Sequence, residues 1–140
     1  MDGIFDLYHA GHVDAIEKCK DAALGGDVII GVISDKDAKK YKRTPIYSEE
    51  DRVRLISNNR YVDEVIRDPP LVVTEEFMNQ HNIDCVVHAF ADDADFEKQK
   101  EFFKDPIRLH KFMRIEYSDR TSTTDIIHKI KSLHLKQKTS

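Results

Sequence analysis

Residues 2–12, DGIFDLYHAGH, are the part of the sequence that decides the fold. They are typical of a strand end, a glycine-bearing loop and the start of a helix, and apolar residues at helical spacing continue to Leu24 before two glycines end the helix. Residues 27–34, DVIIGVIS, follow at once, and this β-branched run is typical of a strand buried on both faces of a parallel sheet. The sequence therefore opens with a strand–helix–strand unit that has a polar loop at its first turn.

Strands and helices alternate along the rest of the chain. The further predicted strands are 62–66, 84–88 and 112–117, and the further predicted helices are 48–58, 74–81 and 123–133. Residues 89–106 are acidic and aromatic and have no clear period. This order predicts an α/β fold of the Rossmann-like type, a doubly wound parallel sheet in one domain spanning 1–135, with 136–140 as a flexible tail. Such sheets bind ligands at the carboxyl ends of their strands.

Composition limits the possible functions. The 140 residues suit a single domain, and 40% hydrophobic with 34% charged residues disfavours both a disordered chain and a membrane protein. The net charge of −4 gives no basic field for a nucleic acid, so a bound phosphate needs a local site. The apolar run at 28–33 is far shorter than the roughly 20 residues that span a bilayer. Cys19 and Cys85 are predicted to be reduced thiols, and we expect a cytoplasmic protein.

The candidate phosphate site is the loop that contains His9, Gly11 and His12. Neither a Walker motif nor Gly-x-Gly-x-x-Gly occurs in the sequence. Two imidazoles three residues apart at a helix start can face one anion together with the free backbone amides there, and Gly11 lets the backbone approach closely. From these residues alone, a solvated histidine pair is an equal alternative, and a metal site lacks a third ligand at suitable spacing, so no metal ligands are assigned.

Neighbouring motifs extend this pattern over nearly the whole chain. They are DGIFD (2–6), HAGH (9–12), GVISD (31–35), RYVDEVI (60–66), VVTEEF (72–77), NID (82–84) and VVH (86–88). In this order and spacing, from residue 2 to about 130, the chain resembles the nucleotidyltransferases with the His-x-Gly-His signature. It is most similar to their cytidylyltransferase branch, first to the eukaryotic choline-phosphate enzymes and next to the ethanolamine-phosphate enzymes.

The resemblance implies an enzyme that joins CTP and phosphocholine into CDP-choline and pyrophosphate by direct in-line attack, in phosphatidylcholine synthesis. It implies His9, His12 and Lys42 as catalytic residues, although the local run around Lys42 taken alone is typical of a solvent-exposed lysine. It also implies Mg²⁺ accompanying CTP, and a homodimer with 9–12 and 60–66 near the interface. Relatives place a strand before Asp2, so we expect the first strand to be shortened.

A second motif, at 122–125, resembles the Ser-Thr-x-Asp step that opens a phosphate-binding helix in this family; an ordinary helix cap is the alternative. The resemblance implies the following nucleotide-binding residues: Ile4, Phe5, Gly11, His12, His88, Ser118, Arg120, Thr121, Ser122 and Thr123. The sequence departs from the family just before the step, where Tyr117 stands at the position of an arginine and Arg120 at that of a glycine. A CTP-binding homologue with weakened catalysis is therefore an alternative.

The acceptor subsite is predicted from Lys42, Phe90, Asp92 and Asp93. A quaternary ammonium binds aromatic faces and carboxylates, but the chain has no Trp and lacks the acidic–aromatic segment that choline enzymes carry after the histidine. A solvated acidic loop around Phe90 is an equal alternative, and phosphoethanolamine or glycerol phosphate remain alternative acceptors. Membrane-responsive relatives carry a further amphipathic helix after the catalytic domain, so membrane control within this chain is not expected.

Overall fold

The computed structural model describes residues 1–117 and 121–139 of the chain. These form five strands and seven helices plus one 3₁₀ turn: β1 (Asp2–Gly3), α1 (Ala10–Ala22), β2 (Ile29–Val32), α2 (Asp35–Tyr41), α3 (Glu49–Ser57), β3 (Glu64–Arg67), α4 (Glu75–Gln80), β4 (Val86–Phe90), α5 (Asp93–Gln99), a 3₁₀ turn (Lys100–Phe103), α6 (Lys104–Arg108), β5 (Phe112–Glu116) and α7 (Thr123–Thr139). The predicted α/β class with parallel strands is confirmed.

The strands form two parallel ladders. One has the order β1-β2-β3, with Gly3 opposite Val32 and Gly31 opposite Ile66, and the other pairs β4 with β5. The sequence predicted a single doubly wound sheet, whereas the described strands form these two separate ladders. Within the described residues β1, only two residues long, pairs with β2 alone. The link between β1 and β4 is made by side chains instead, since Asp2 Oδ1 lies 3.0 Å from His88 Nδ1.

Each ladder has its own apolar cluster. The first packs α1 and α3 on β2, with Ile16, Ile30 and Ile56 fully buried. The second joins β4 and β5 to α4 and the 3₁₀ turn, around the buried rings of Phe90 and Phe103. The apolar β2 run 27–34 was correctly predicted to be buried, because a strand with helices on both faces has no solvent side.

Three stretches differ from the sequence prediction. Helix α2 was not predicted, although Ser34 caps it by accepting a hydrogen bond from the N–H of Asp37, the first turn is acidic and the last turn is basic. The stretch 89–106 contains α5, the 3₁₀ turn and α6 rather than aperiodic chain, and Asp92 caps α5 in the same way. Helix α7, predicted to end at residue 133, continues to Thr139 and so includes most of the segment assigned to the tail.

Candidate active site

The loop between β1 and α1 holds the two histidines in a fixed arrangement. His9 is the N-cap of α1, and its Nδ1 accepts a hydrogen bond of 3.0 Å from the N–H of Gly11. The Nδ1 of His12 accepts a bond of 3.3 Å from the N–H of His9, which completes a reciprocal capping box. The two rings stack with centroids 3.8 Å apart. The spacing that predicted a shared anion site therefore produces two imidazoles side by side at a helix N-terminus.

Gly11 makes this arrangement possible by its lack of a side chain. A Cβ at this position would lie 2.6 Å from the carbonyl oxygen of Thr121 and 2.8 Å from Cε1 of His9. Both distances are shorter than any real Cβ contact. Gly11 is buried under the site rather than exposed in the cavity, so its contribution is to let the segment before α7 and the His9 ring approach α1.

The start of α7 meets the start of α1. The Thr123 hydroxyl donates to the carbonyl oxygen of Asp6 at 3.1 Å and lies 3.3 Å from Nε2 of His9. Ser122 accepts a hydrogen bond from the N–H of Asp125 and so caps α7. Two helix N-termini therefore converge on one place, where the positive ends of their dipoles favour an anion.

Lys42 is the C-cap of α2, and the loop that follows it is tied to the β1–α1 loop. The buried Asp6 carboxylate accepts backbone N–H bonds from Ile46 at 2.8 Å and Tyr47 at 2.9 Å. Arg52, which is 0% exposed, donates to the carbonyl oxygens of Ile4 and Tyr47. These two charged side chains fix the distance between the lysine loop and the histidine loop.

Arg52 also reaches the second strand. It donates to the carbonyl oxygen of Ile33 at 2.8 Å and pairs with the carboxylate of Asp35 at 2.6 Å. Each of the three nitrogens of the buried guanidinium therefore has at least one acceptor, as burial of a charge requires. Sequence reasoning missed both Asp6 and Arg52, because an acidic residue in a loop and an arginine in a helix look like surface residues until their partners are known.

Burial keeps the site histidines neutral. It lowers the pKa of His12 to about 3, with further contributions from the neighbouring His9 and Lys42. Burial also lowers the pKa of His9, against a smaller opposing effect of Asp125. Desolvation at the cavity wall and the neighbouring Arg43 lower the pKa of Lys42, while Asp95 opposes them.

A cavity of about 890 Å³ joins these groups. The predicted site residues that line it are Ile4, Phe5, His9, His12, Lys42, His88, Asp92, Thr121, Ser122 and Thr123. Residues that line it without having been predicted for the site include Asp2, Tyr41, Arg43, Asp95, Phe102 and Tyr117. Ser118 and Arg120, also predicted for the nucleotide, lie outside the described residues. Tyr41 comes from helix α2, and Asp95 and Phe102 come from the 89–106 region. The helices of both stretches were missing from the predicted secondary structure.

Two predicted acceptor residues do not reach the cavity. The Phe90 ring is 0% exposed and packs in the second core against Phe96, with ring centroids 5.1 Å apart. The Asp93 carboxylate points to solvent and pairs with Arg114 at 2.9 Å. The aromatic part of the cavity wall comes instead from Tyr41 and Phe102, whose rings meet edge to face at 6.0 Å, and from Tyr117.

The cavity wall does not fit a resident metal ion. No group of three or more His, Cys, Asp or Glu side chains positioned for a metal occurs in the part of the chain that the structure describes. Several carboxylates in the wall already have partners: Asp6 accepts backbone N–H groups, Asp92 accepts the N–H of Asp95, and Asp2 faces His88.

A parallel α/β fold that gathers imidazoles, a lysine and two helix N-termini beside the strand ends is typical of the α/β proteins that bind phosphorylated ligands at this edge of the sheet. Residues 1–129 match the family described as cytidylyltransferase-like, and the chain belongs to this family. No helix among the described residues is long and apolar enough to cross a bilayer.

Curated relatives and a solved structure agree with this assignment. The chain is 37% identical over 131 residues to the choline-phosphate cytidylyltransferase of Saccharomyces cerevisiae, covering 92% of this chain and 30% of that protein. It is 34% identical to choline-phosphate cytidylyltransferase A of Homo sapiens, with 92% and 35% covered, and 30% identical to the ethanolamine-phosphate cytidylyltransferase of Arabidopsis thaliana, with 91% and 30% covered. The chain thus spans about a third of the length of these relatives.

One similar solved structure is that of the lipopolysaccharide core biosynthesis protein from Thermoplasma volcanium, with a TM-score of 0.63 and 27% identity over 84% of this chain and 94% of that chain.

Proposed function

We propose that the chain is a cytidylyltransferase that converts CTP and phosphocholine into CDP-choline and pyrophosphate, in phospholipid synthesis. The observation that carries the proposal is that one cavity of about 890 Å³ contains all of these groups. His9, His12 and the start of α7 lie at one end, Lys42 lies in the wall, and aromatic and acidic side chains line the rest. Such a cavity offers one place for a triphosphate and another for a phosphorylated cation. The names of the relatives support the same reaction.

The reaction is a direct displacement. An oxygen of the acceptor phosphate attacks the α-phosphorus of CTP, the bond from that phosphorus to the bridging oxygen of the β-phosphate breaks, and pyrophosphate leaves with the electron pair. Catalysis requires alignment and stabilisation of the charge on the phosphoryl oxygens, and no covalent enzyme intermediate. We assign His9 and His12 to the triphosphate and the transition state, and Lys42 to the two phosphates that must meet.

The other contacts of the nucleotide follow from the cavity wall. The backbone amide groups at the start of α7, from Thr121 to Thr123, and the Ser122 hydroxyl suit the β- and γ-phosphates. Ile4, Phe5 and His88 line the part of the cavity next to β1 and β4, where we place the cytidine. We propose Mg²⁺ as a component of the CTP substrate, because phosphates and water supply the oxygen ligands that this ion prefers.

The acceptor end is suited to a cation. Tyr41, Phe102 and Tyr117 contribute rings, and Asp95 contributes a carboxylate whose oxygens already accept bonds from the N–H of Ala91 and from Gln99. Three aromatic side chains favour a quaternary ammonium, which binds ring faces. Phosphoethanolamine is the second candidate, because its primary ammonium depends more on carboxylates than on rings.

An acceptor panel tests the proposal. Purified protein is incubated with CTP, MgCl₂ and phosphocholine, phosphoethanolamine or glycerol 3-phosphate, and pyrophosphate release is measured. We expect the highest kcat/KM for phosphocholine. Absence of turnover with every acceptor at saturating CTP refutes the enzyme proposal, and CTP binding by calorimetry without turnover identifies a nucleotide-binding homologue that has lost catalysis.

We further propose that the protein is a cytoplasmic homodimer. The support for the dimer is that β3 is an edge strand of its ladder, and edge strands are normally covered. The Arg60 guanidinium lies 4.8 Å from the Tyr61 ring just before this strand. Sedimentation equilibrium of the wild type and of Tyr61→Asp tests the interface, and a wild-type monomer at micromolar concentration contradicts it.

A further inference from the structure

The backbone of α1 determines which nitrogen of each site histidine carries hydrogen. The N–H of Gly11 donates to Nδ1 of His9 at 3.0 Å, and the N–H of His9 donates to Nδ1 of His12 at 3.3 Å. A ring nitrogen accepts a hydrogen bond only through a free lone pair, so neither Nδ1 carries a hydrogen. In a neutral imidazole the hydrogen then lies on Nε2.

The hydrogen bond at the other ring nitrogen of His9 independently indicates the same tautomer. Its Nε2 lies 3.3 Å from the hydroxyl oxygen of Thr123, and that hydroxyl donates its one hydrogen to the carbonyl oxygen of Asp6 at 3.1 Å. The hydroxyl can therefore only accept from the imidazole. A chain of hydrogen bonds therefore runs from Nε2–H of His9 to the Thr123 hydroxyl, and from that hydroxyl to the carbonyl oxygen of Asp6.

The two rings differ in what their Nε2–H groups meet. Among residues 1–117 and 121–139, no acceptor meets Nε2 of His12, and the ring lines the cavity between the rings of Phe5 and Tyr8, at centroid distances of 5.5 and 6.0 Å. His12 therefore offers a donor that substrate oxygen can take. The donor of His9 is already bonded to Thr123, which fixes the ring plane.

Protonation of either ring is opposed by this geometry. A hydrogen on Nδ1 would point at a backbone N–H and break the cap of α1, and a second charge would lie on the ring stacked 3.8 Å away. The charged groups that face the pair from the surrounding elements are Asp6, Lys42 and Asp125. Burial has the largest effect and lowers the pKa of both rings; Lys42 adds to this lowering at His12, whereas the carboxylates of Asp6 and Asp125 oppose it at His12 and His9, respectively.

We infer that His9 and His12 act as neutral Nε2–H hydrogen-bond donors whose tautomer is set by the first turn of α1, and that Thr123 is the positioning residue of His9. The catalytic part of this inference rests on the proposed transferase activity. The tautomers and the role of Thr123 do not, because they are properties of the protein without substrate.

Nitrogen-15 NMR of the imidazole rings tests the tautomers directly. In protein labelled at histidine at pH 8, we expect His9 and His12 to carry a proton on Nε2 and none on Nδ1. On titration to pH 5, both rings should gain a second proton at a lower pH than N-acetylhistidine amide, the control in the same buffer, because burial lowers the pKa of both. A proton on Nδ1 of either site ring at pH 8, or protonation of both rings in parallel with the control, overturns the inference.

The role of Thr123 is tested with the same spectra. Thr123→Val keeps the shape of the side chain but removes the hydroxyl, and it should shift the Nε2 signal of His9 more than that of His12. Thr123→Ser restores the hydroxyl and should restore the wild-type signal. Equal spectra for the valine variant and the wild type show that the hydroxyl does not hold the ring.

Substitution of His12 tests the catalytic part. Gln provides a neutral N–H donor near the position of Nε2, and Lys provides a permanent charge. Loss of one such donor typically costs ~100-fold or more in kcat, so His12→Ala and His12→Lys should both lose at least this factor, while His12→Gln keeps a clearly higher kcat than either. Rescue by lysine and not by glutamine overturns the inference. If the wild type transfers to no acceptor, the proposed function fails, and the spectra alone decide the tautomers.

Discussion

Arg52→Leu should destabilise the protein strongly and loosen the active-site loops. Arg52 is 0% exposed, and its substitution leaves the carbonyl oxygens of Ile4, Ile33 and Tyr47 without their donor. Each unsatisfied buried polar group costs about 1–3 kcal/mol. The side chain of Asp35 is 53% exposed and regains water, so it adds little. The expected loss in unfolding free energy is about 3–5 kcal/mol, which is the range for a buried ion pair that loses one partner.

Urea denaturation followed by circular dichroism measures this loss. A domain of this size has a total stability of about 5–15 kcal/mol, so the variant should still fold but with a much lower midpoint. At about 2–4 °C per kcal/mol, the melting temperature should fall by roughly 10 °C. Turnover should fall at the same time even well below the melting temperature, because Ile4 and Tyr47 lie on the two loops that hold the histidines and Lys42.

Arg54→Leu is the matched control, since Arg54 lies on the same helix and is exposed. It removes the same charge and should change the unfolding free energy by less than about 0.5 kcal/mol. A loss for Arg52→Leu no larger than that of the control would refute the argument that the buried guanidinium joins these loops.

Four further predictions concern the site and its core. Gly11→Ala should lower the free energy of unfolding by about 1–3 kcal/mol through overpacking and reduce turnover by roughly 100-fold through displacement of the imidazole. Ala10→Ser, at the neighbouring exposed position, is the control. An unchanged melting temperature for Gly11→Ala contradicts the close contact. Lys42→Ala should lower kcat at least ~100-fold with the fold intact, by analogy with loss of a transition-state donor, and an unchanged kcat reassigns this residue. The pKa of His12 is lower in the folded than in the unfolded chain, so the unfolded protein binds more protons below pH 6.5. The free energy of unfolding should therefore fall on acidification by up to about 1.4 kcal/mol per pH unit. The urea midpoints at pH 7.5 and pH 5 should differ less in His12→Gln than in the wild type. Phe90→Leu should lower the melting temperature but leave the KM for the acceptor unchanged, because the ring lies in the core, and a raised KM would return Phe90 to the acceptor site.

Local patterns predicted those elements whose cause is local. The buried run of β2, the Thr74 cap of α4 and the approach of His9 to His12 all depend on residues within a few positions of each other. Helix α2 could have been predicted from local sequence as well, because Ser34 and the charges at its two ends are ordinary helix signals. The stretch 89–106 was harder, since its short helices present aromatic residues to the second core rather than along one clear stripe.

By itself, the sequence determined the parallel α/β class, the histidine loop at the start of α1 and the resemblance of its motifs to a family. All three depend on the spacing of residues that are close together in the chain, and this spacing does not depend on folding. Only the tertiary structure decided that Tyr41 and Phe102 meet at one cavity wall, that Phe90 lies in the core, and that Asp6 and Arg52 hold two loops together. The physical reason is that burial, and the choice of partners for a buried charge, depend on residues that are distant in the chain, as in the contact of Asp6 with Ile46, 40 positions away.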